Sequence, residues 1–97
     1  MIAEFSVTPI GAGVRLGKHV TKAVQIVHNS GLKYELNPMG TVVEGSWDRV
    51  MAVIKKCNEE LLKDCERLSI SIKVDSRRGR SPTMEDKVQA VLAKLRR

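Results

Sequence analysis

Leu68-Ser69-Ile70-Ser71-Ile72-Lys73-Val74-Asp75 alternates apolar and polar side chains without a break. Successive side chains of an extended chain point to opposite faces, so a period of two predicts a strand with one buried and one wet face. Leu68, Ile70, Ile72 and Val74 take the buried face; Ser69, Ser71, Lys73 and Asp75 take the other. Residues 2–10 repeat the pattern, with Ala3, Phe5 and Val7 set against Glu4, Ser6 and Thr8.

Helices and short strands lie between these two segments. Pro9 and the Gly11-Ala12-Gly13 turn end the first strand. Over residues 17–29, Val20, Ala23, Val24, Ile26 and Val27 recur at helical spacing, and Ser30-Gly31 supplies a stop. Residues 32–37 read as a second strand, with Tyr34 and Leu36 on one side and Lys33 and Glu35 on the other. Pro38-Met39-Gly40 is a tight connection, and residues 41–44 form a third strand. Ser46 is a good N-cap for a second helix, with Asp48 in its first turn and an apolar stripe from Val50 down to about Cys65. Thr83 caps a last helix with Glu85 and Asp86 in its first turn and Val88, Val91, Leu92 and Leu95 on its apolar face. The order β-α-β-β-α-β plus a terminal helix predicts an α+β, ferredoxin-like split βαβ: a four-stranded antiparallel sheet with two helices on one face. The opposite face, with its acids and hydroxyls, is expected to lie open.

Ninety-seven residues allow one small domain, residues 1–97, and 42% hydrophobic with 29% charged residues is an ordinary globular balance. No apolar run approaches the roughly 20 residues that span a bilayer, so no membrane partner is expected. Met1-Ile2-Ala3-Glu4-Phe5 lacks the basic start of a signal peptide, which makes the cytoplasm the expected location. The net charge of +6 resides in two patches. One runs from Lys73 through Arg77, Arg78 and Arg80, offset by Asp75; the other is Lys94, Arg96 and Arg97. The rest of the chain holds ten bases and ten acids. Cations at a helix C-terminus offset its dipole, so only the loop is a candidate anion site. Cys57 and Cys65 lie eight apart on one predicted helix, roughly 12 Å, too far for a disulfide within it or for shared metal ligation. Reduced, buried thiols are expected.

No catalytic constellation is visible. His28 falls near a helix end, where a histidine serves as a dipole partner more often than as a base. Gly11-Ala12-Gly13 lacks the third glycine of a dinucleotide fingerprint and the Lys-Ser/Thr of a P-loop. Arg77-Arg78-Gly79-Arg80 could hold phosphate, sulfate or nucleic acid, but with aromatics at 3% the sheet has no base-stacking platform, so nucleic acid is not expected. Trp47 reads equally as a staple over a helix start or as a wall for a ring-shaped ligand.

Several segments in order resemble a known family: Pro9-Ile10-Gly11-Ala12-Gly13, Gly31-Leu32-Lys33-Tyr34, Pro38-Met39-Gly40-Thr41, Glu44-Gly45, Trp47-Asp48, Ile72-Lys73-Val74-Asp75 with Arg77-Arg78, and Glu85-Asp86-Lys87-Val88. Their order and spacing are similar to those of the small ferredoxin-like thiamine-binding proteins. That resemblance implies a non-enzymatic binder of thiamine or its hydroxymethylpyrimidine part, without a cofactor, assembled as homodimers or homotetramers. Thiamine carries a permanent positive charge, so a net-basic protein must present local acids to it. The expected pocket has Ser6 and Thr8 orienting the pyrimidine, with Gly40 allowing close backbone approach and Met39, Thr41 and Trp47 around it. Asp75 is expected to balance the cation. The competing expectation is an oligomeric scaffold that holds an anion on Arg77, Arg78 and Arg80.

Overall fold

β1 (Ile2–Pro9) runs through the interior of the sheet in the computed structural model of the chain, which describes residues 1–11, 17–79 and 83–95. α1 (Gly17–Asn29) follows, then β2 (Lys33–Asn37), β3 (Gly40–Glu44), α2 (Trp47–Leu61), β4 (Leu68–Asp75) and α3 (Met84–Leu92). The sheet order is β2-β3-β1-β4, with every neighbouring pair antiparallel. This is the ferredoxin-like architecture that the alternation in β1 and β4 predicts. Gly31 takes φ +76°, the left-handed conformation that lets the chain leave α1 and turn into β2. Ser46 accepts from the Arg49 amide at the start of α2, as its position before Trp47-Asp48 predicts.

The registers sort the side chains as the alternation requires. Ala3 lies opposite Val43 and Val74, and Phe5 lies opposite Thr41 and Ile72. Ala3, Phe5 and Val43 are buried against Ala23 and Val27 of α1 and Val50, Ile54, Cys57 and Leu61 of α2. Ala23 is small enough for the two helices to approach, and the Cys57 Sγ reaches its carbonyl at 3.7 Å. Burial pushes the Cys57 thiol up to about 11, so it packs as a small hydrophobe. Lys22 closes the far end of the layer: its Nζ donates to the Glu60 carbonyl at 2.9 Å and to Asp64 at 2.6 Å. A cation there also offsets the C-terminal dipole of α2.

Two expectations are corrected. The second helix ends at Leu61 and does not continue to Cys65. Leu61 is the last fully buried position of the stripe, and beyond it Lys63 N–H bonds to Glu60 O in a tightened turn, while the half-buried Cys65 thiol donates to Leu61 O at 3.1 Å. The apolar face of the last helix is not in the core. Val88, Val91, Leu92 and Leu95 are between 47% and 62% exposed, and Met84 is the buried residue of α3. The reason lies in where α3 sits. Its first turn is tied to Glu44, Lys33 and Asp75, which alternate with the core-facing Val43, Tyr34 and Val74. So α3 stands on the face away from α1 and α2 and covers one end of it, where it meets the half-buried Ile2 and Val42 and not the core. Among the described residues no helix is long and apolar enough to cross a membrane.

Leu61 is fully buried where α2 meets the core. Leu61→Ala is expected to lower the unfolding free energy by about 2–5 kcal/mol, measured as a shift in the urea midpoint with an unchanged slope.

Candidate functional site

Strand length makes a hollow at one end of the sheet. β1 and β4 are eight residues long, whereas β2 and β3 are five and are joined by the two-residue turn Pro38-Met39, with Asn37 opposite Gly40. β1 pairs with β4 along its whole length, but its pairing with β3 stops at Phe5 opposite Thr41. From Ser6 to Thr8, β1 therefore has β4 on one side and, among the described residues, no strand on the other. This notch is a cavity of about 280 Å³ beside Ser6, Thr8, Gly40 and Thr41, roofed by Val20, Ala23 and Val24 of α1. Its size falls just below the roughly 300–1,000 Å³ of sites for drug-sized ligands, which suits a single ring.

The notch combines two kinds of surface. Val20, Val24, Leu36 and the 87% exposed Met39 supply apolar walls. The hydroxyls of Ser6, Thr8 and Thr41, the Asn37 amide and the unpaired strand edge supply donors and acceptors. Thr41 is the one buried polar residue among those described, which places its hydroxyl at the floor. At Gly40 a Cβ would lie 3.0 Å from the Phe5 carbonyl and 3.5 Å from Glu4 Cγ, so glycine permits the close approach of turn and strand. Among the described residues no titratable side chain lines the notch.

The residues expected to form one pocket are divided between the two ends of the sheet. Ser6, Thr8, Met39, Gly40 and Thr41 come together at the notch. Asp75 pairs with Ile2, six residues from Thr8, which puts it about 20 Å away at roughly 3.3 Å per residue. Its carboxylate already holds Lys87, and that hydrogen bond keeps it below the ordinary 3.8, with Arg77 adding to the effect. Trp47 lies at the same far end, because it follows β3 where Glu44 pairs with Ile2, and it is 55% exposed. The hollow thus sits at the sheet end beneath α1 and not on the centre of the open face. Period-two alternation assigns faces but not rows, and the rows follow from the register. Missed altogether were Val20 and Val24 of α1; their apolar type signalled core, and only the short hairpin leaves them lining a cavity.

A second hollow of about 440 Å³ lies under α3, between Ile2, Val42 and Val74 on the sheet and Met84, Lys87 and Val88 on the helix. α3 is fastened there by three polar contacts: the Met84 amide to Glu44 at 2.6 Å, Lys33 with Glu85, and Lys87 with Asp75. Its own start is closed by a capping box between Thr83 and Asp86. Of the candidate anion loop, Arg77 and Arg78 border neither hollow, and Arg80 lies outside the described residues. So do Ala12 and Gly13 of the glycine turn, and Arg96 and Arg97 of the basic tail. His28, in the last turn of α1, contacts the Tyr34 hydroxyl at 3.0 Å, a structural role consistent with its place at a helix end.

Fold and notch define a small ferredoxin-like protein with a ring-sized hollow at the open end of its sheet. The chain belongs to the thiamine-binding protein family, whose model matches residues 3–92. It is 36% identical over 91 residues to the UPF0045 protein MJ1052 of Methanocaldococcus jannaschii, covering 94% of this chain and 91% of that protein. It is 41% identical over 92 residues to the UPF0045 protein Mb1933 of Mycobacterium bovis, covering 94% and 90%. The crystal structure of MJ1052 superposes with a TM-score of 0.87 at 37% identity, over 93% of each chain. A Thermotoga maritima protein whose suggested role is thiamine biosynthesis or salvage superposes at 0.84 and 27% identity, over 93% of this chain and 96% of that one.

The α3 contacts generate a pH dependence. Hydrogen bonds from Lys87 and Lys33 hold Asp75 and Glu85 below their ordinary 3.8 and 4.5. A carboxylate with a depressed folded pKa stabilises above its unfolded value and loses that contribution as pH falls through the folded one. α3 is therefore expected to stay docked above about pH 4.5 and to loosen progressively below 3.8, before the core unfolds. Amide exchange of Val88 to Leu92 at pH 6 and pH 3 measures this; equal protection at both contradicts it.

Proposed function

We propose that this protein binds thiamine, or the hydroxymethylpyrimidine part of it, performs no chemistry on it, uses no cofactor, and works as a homo-oligomer. The notch beside Ser6, Thr8 and Gly40 carries the reading. An aminopyrimidine is a flat ring with donors and acceptors around its edge. The notch offers apolar walls to the ring faces, and hydroxyls with an unpaired strand edge to its rim. Acid–base catalysis needs a titratable group within hydrogen-bond reach of the reacting atoms, and the lining holds none among the described residues. Membership of the thiamine-binding protein family and the likeness to the Thermotoga maritima protein support the choice of ligand.

The oligomer reading rests on α3. The exposed Val88, Val91 and Leu92 of α3, with Leu95 just past its end, present apolar side chains to a second copy. A chain of this size buries a modest share of its surface alone, which favours association. Free Cys57 and Cys65 suit a reducing cytoplasm.

Isothermal calorimetry with thiamine and with hydroxymethylpyrimidine tests the binding; absence of heat with both overturns it. Thr8→Val keeps the shape and removes one hydroxyl, and is expected to weaken binding about 2- to 12-fold, the worth of one net hydrogen bond. Light scattering at micromolar concentration is expected to give a dimer or tetramer, with Val91→Asp combined with Leu95→Asp shifting it to monomer. A monomeric wild type contradicts the assembly.

A further inference from the structure

A second, smaller hollow adjoins the notch, and the one free carboxylate on its rim points to a separate subsite for the charged half of the ligand. This hollow, about 120 Å³, is lined by Glu4, Phe5, Ser6, Met39, Ser71, Ile72 and Lys73. It shares Phe5, Ser6 and Met39 with the notch, so the two hollows meet across a saddle made by one strand segment and one flexible side chain. Gly40 stands at that saddle. With no side chain of its own, it leaves Glu4 Cγ only 3.5 Å from where a Cβ would be. The Glu4 side chain thus packs close beside the turn that bounds the notch.

Of the acids near the cavities, Glu4 and Glu35 enter no ion pair or hydrogen bond among the described residues, and Glu4 alone lines the smaller hollow. Asp75 holds Lys87, and Glu44 accepts the Met84 amide. Glu4 is exposed and enters none of the ion pairs or hydrogen bonds between described residues, although Lys73 lies directly opposite on β4. Its charge is available to a ligand. Lys73, on the same rim, opposes a cation and would be relieved by an anionic substituent.

Resting on the thiamine reading above, we propose that the two hollows form one bipartite site: the neutral pyrimidine occupies the notch, the cationic ring occupies the smaller hollow, and Glu4, not Asp75, is the residue that selects the cation, with Lys73 setting the limit of that selection. The shared lining of Phe5, Ser6 and Met39 makes the two hollows contiguous, as a ligand of two linked rings requires.

The test is a matrix of calorimetric titrations: wild type, Glu4→Gln, Lys73→Met and Asp75→Asn, each with thiamine and with hydroxymethylpyrimidine. Glu4→Gln is expected to weaken thiamine about fivefold to tenfold, the scale of a contact between unit charges in a largely wet site, and to leave hydroxymethylpyrimidine within twofold. Lys73→Met should tighten thiamine severalfold and leave the neutral ligand alone. Asp75→Asn should move neither ligand. Added salt should weaken thiamine alone, and that dependence should shrink in Glu4→Gln. Both side chains are exposed, so the variants fold, as circular dichroism will verify. A wild type that binds hydroxymethylpyrimidine but not thiamine, or a Glu4→Gln effect equal for both ligands, overturns the bipartite site while the pyrimidine reading stands. A wild type that binds neither overturns that reading as well.

Discussion

Every feature of the candidate site follows from a mismatch in strand length. A long pair, β1 with β4, is joined to a short hairpin, β2 with β3, and the short partner ends three residues before the long one. A strand edge left without a neighbour carries unpaired amides and carbonyls, which must be satisfied by water or by something else. Here that edge is not on the outside of the sheet but in a recess, because α1 crosses above it and supplies Val20, Ala23 and Val24. The two-residue turn at Pro38-Met39 decides where the hairpin stops, and Gly40 lets it stop against the Phe5 carbonyl. A ligand cavity in so small a protein needs such a device, since a chain of 97 residues cannot spare core volume for one.

The other end of the sheet is organised by charge. α3 is fixed to the face opposite α1 and α2 by two lysine–carboxylate pairs and one amide–carboxylate bond, all in its first turn. Exposed pairs contribute little each, so a short helix held this way is the part of the structure most readily released. Its apolar side chains extend past the region those contacts secure. That combination, polar anchoring with an apolar remainder, is what an element shared between copies of a chain would look like, and it underlies the proposed assembly.

The distribution of acids separates two roles that a list of carboxylates would merge. Asp75 lies in the fastening of α3 and is neutralised there by Lys87. Glu4 lines both the small hollow beside the notch and the hollow under α3, and enters no ion pair among the described residues. Net charge gives no guide to this, because the excess of +6 resides in the loop and the tail, whereas the hollow beside the notch carries one residue of each sign, Glu4 and Lys73, on neighbouring strands.

The alternation in residues 2–10 and 68–75 and the helical spacing of residues 17–29 were sufficient for the architecture, because each pattern is a local consequence of which side chains must leave water. The caps were equally legible: Ser46 and Thr83 act within three residues of themselves. Ser6, Thr8, Met39, Gly40 and Thr41 share a hollow, as their sequence neighbourhood predicts, because a turn and its adjacent strands stay close in any register. Asp75 and Trp47 were placed with them and belong elsewhere, since distance along a sheet depends on which residue pairs with which, and composition carries no such information. The exposed face of α3 misled for a related reason: an apolar stripe states that burial is favourable, not what will provide it. Local periodicity settled the kinds of element and the faces they bury; register, unequal strand ends and the side of the sheet taken by the last helix, all products of long-range pairing, decided where a cavity could exist.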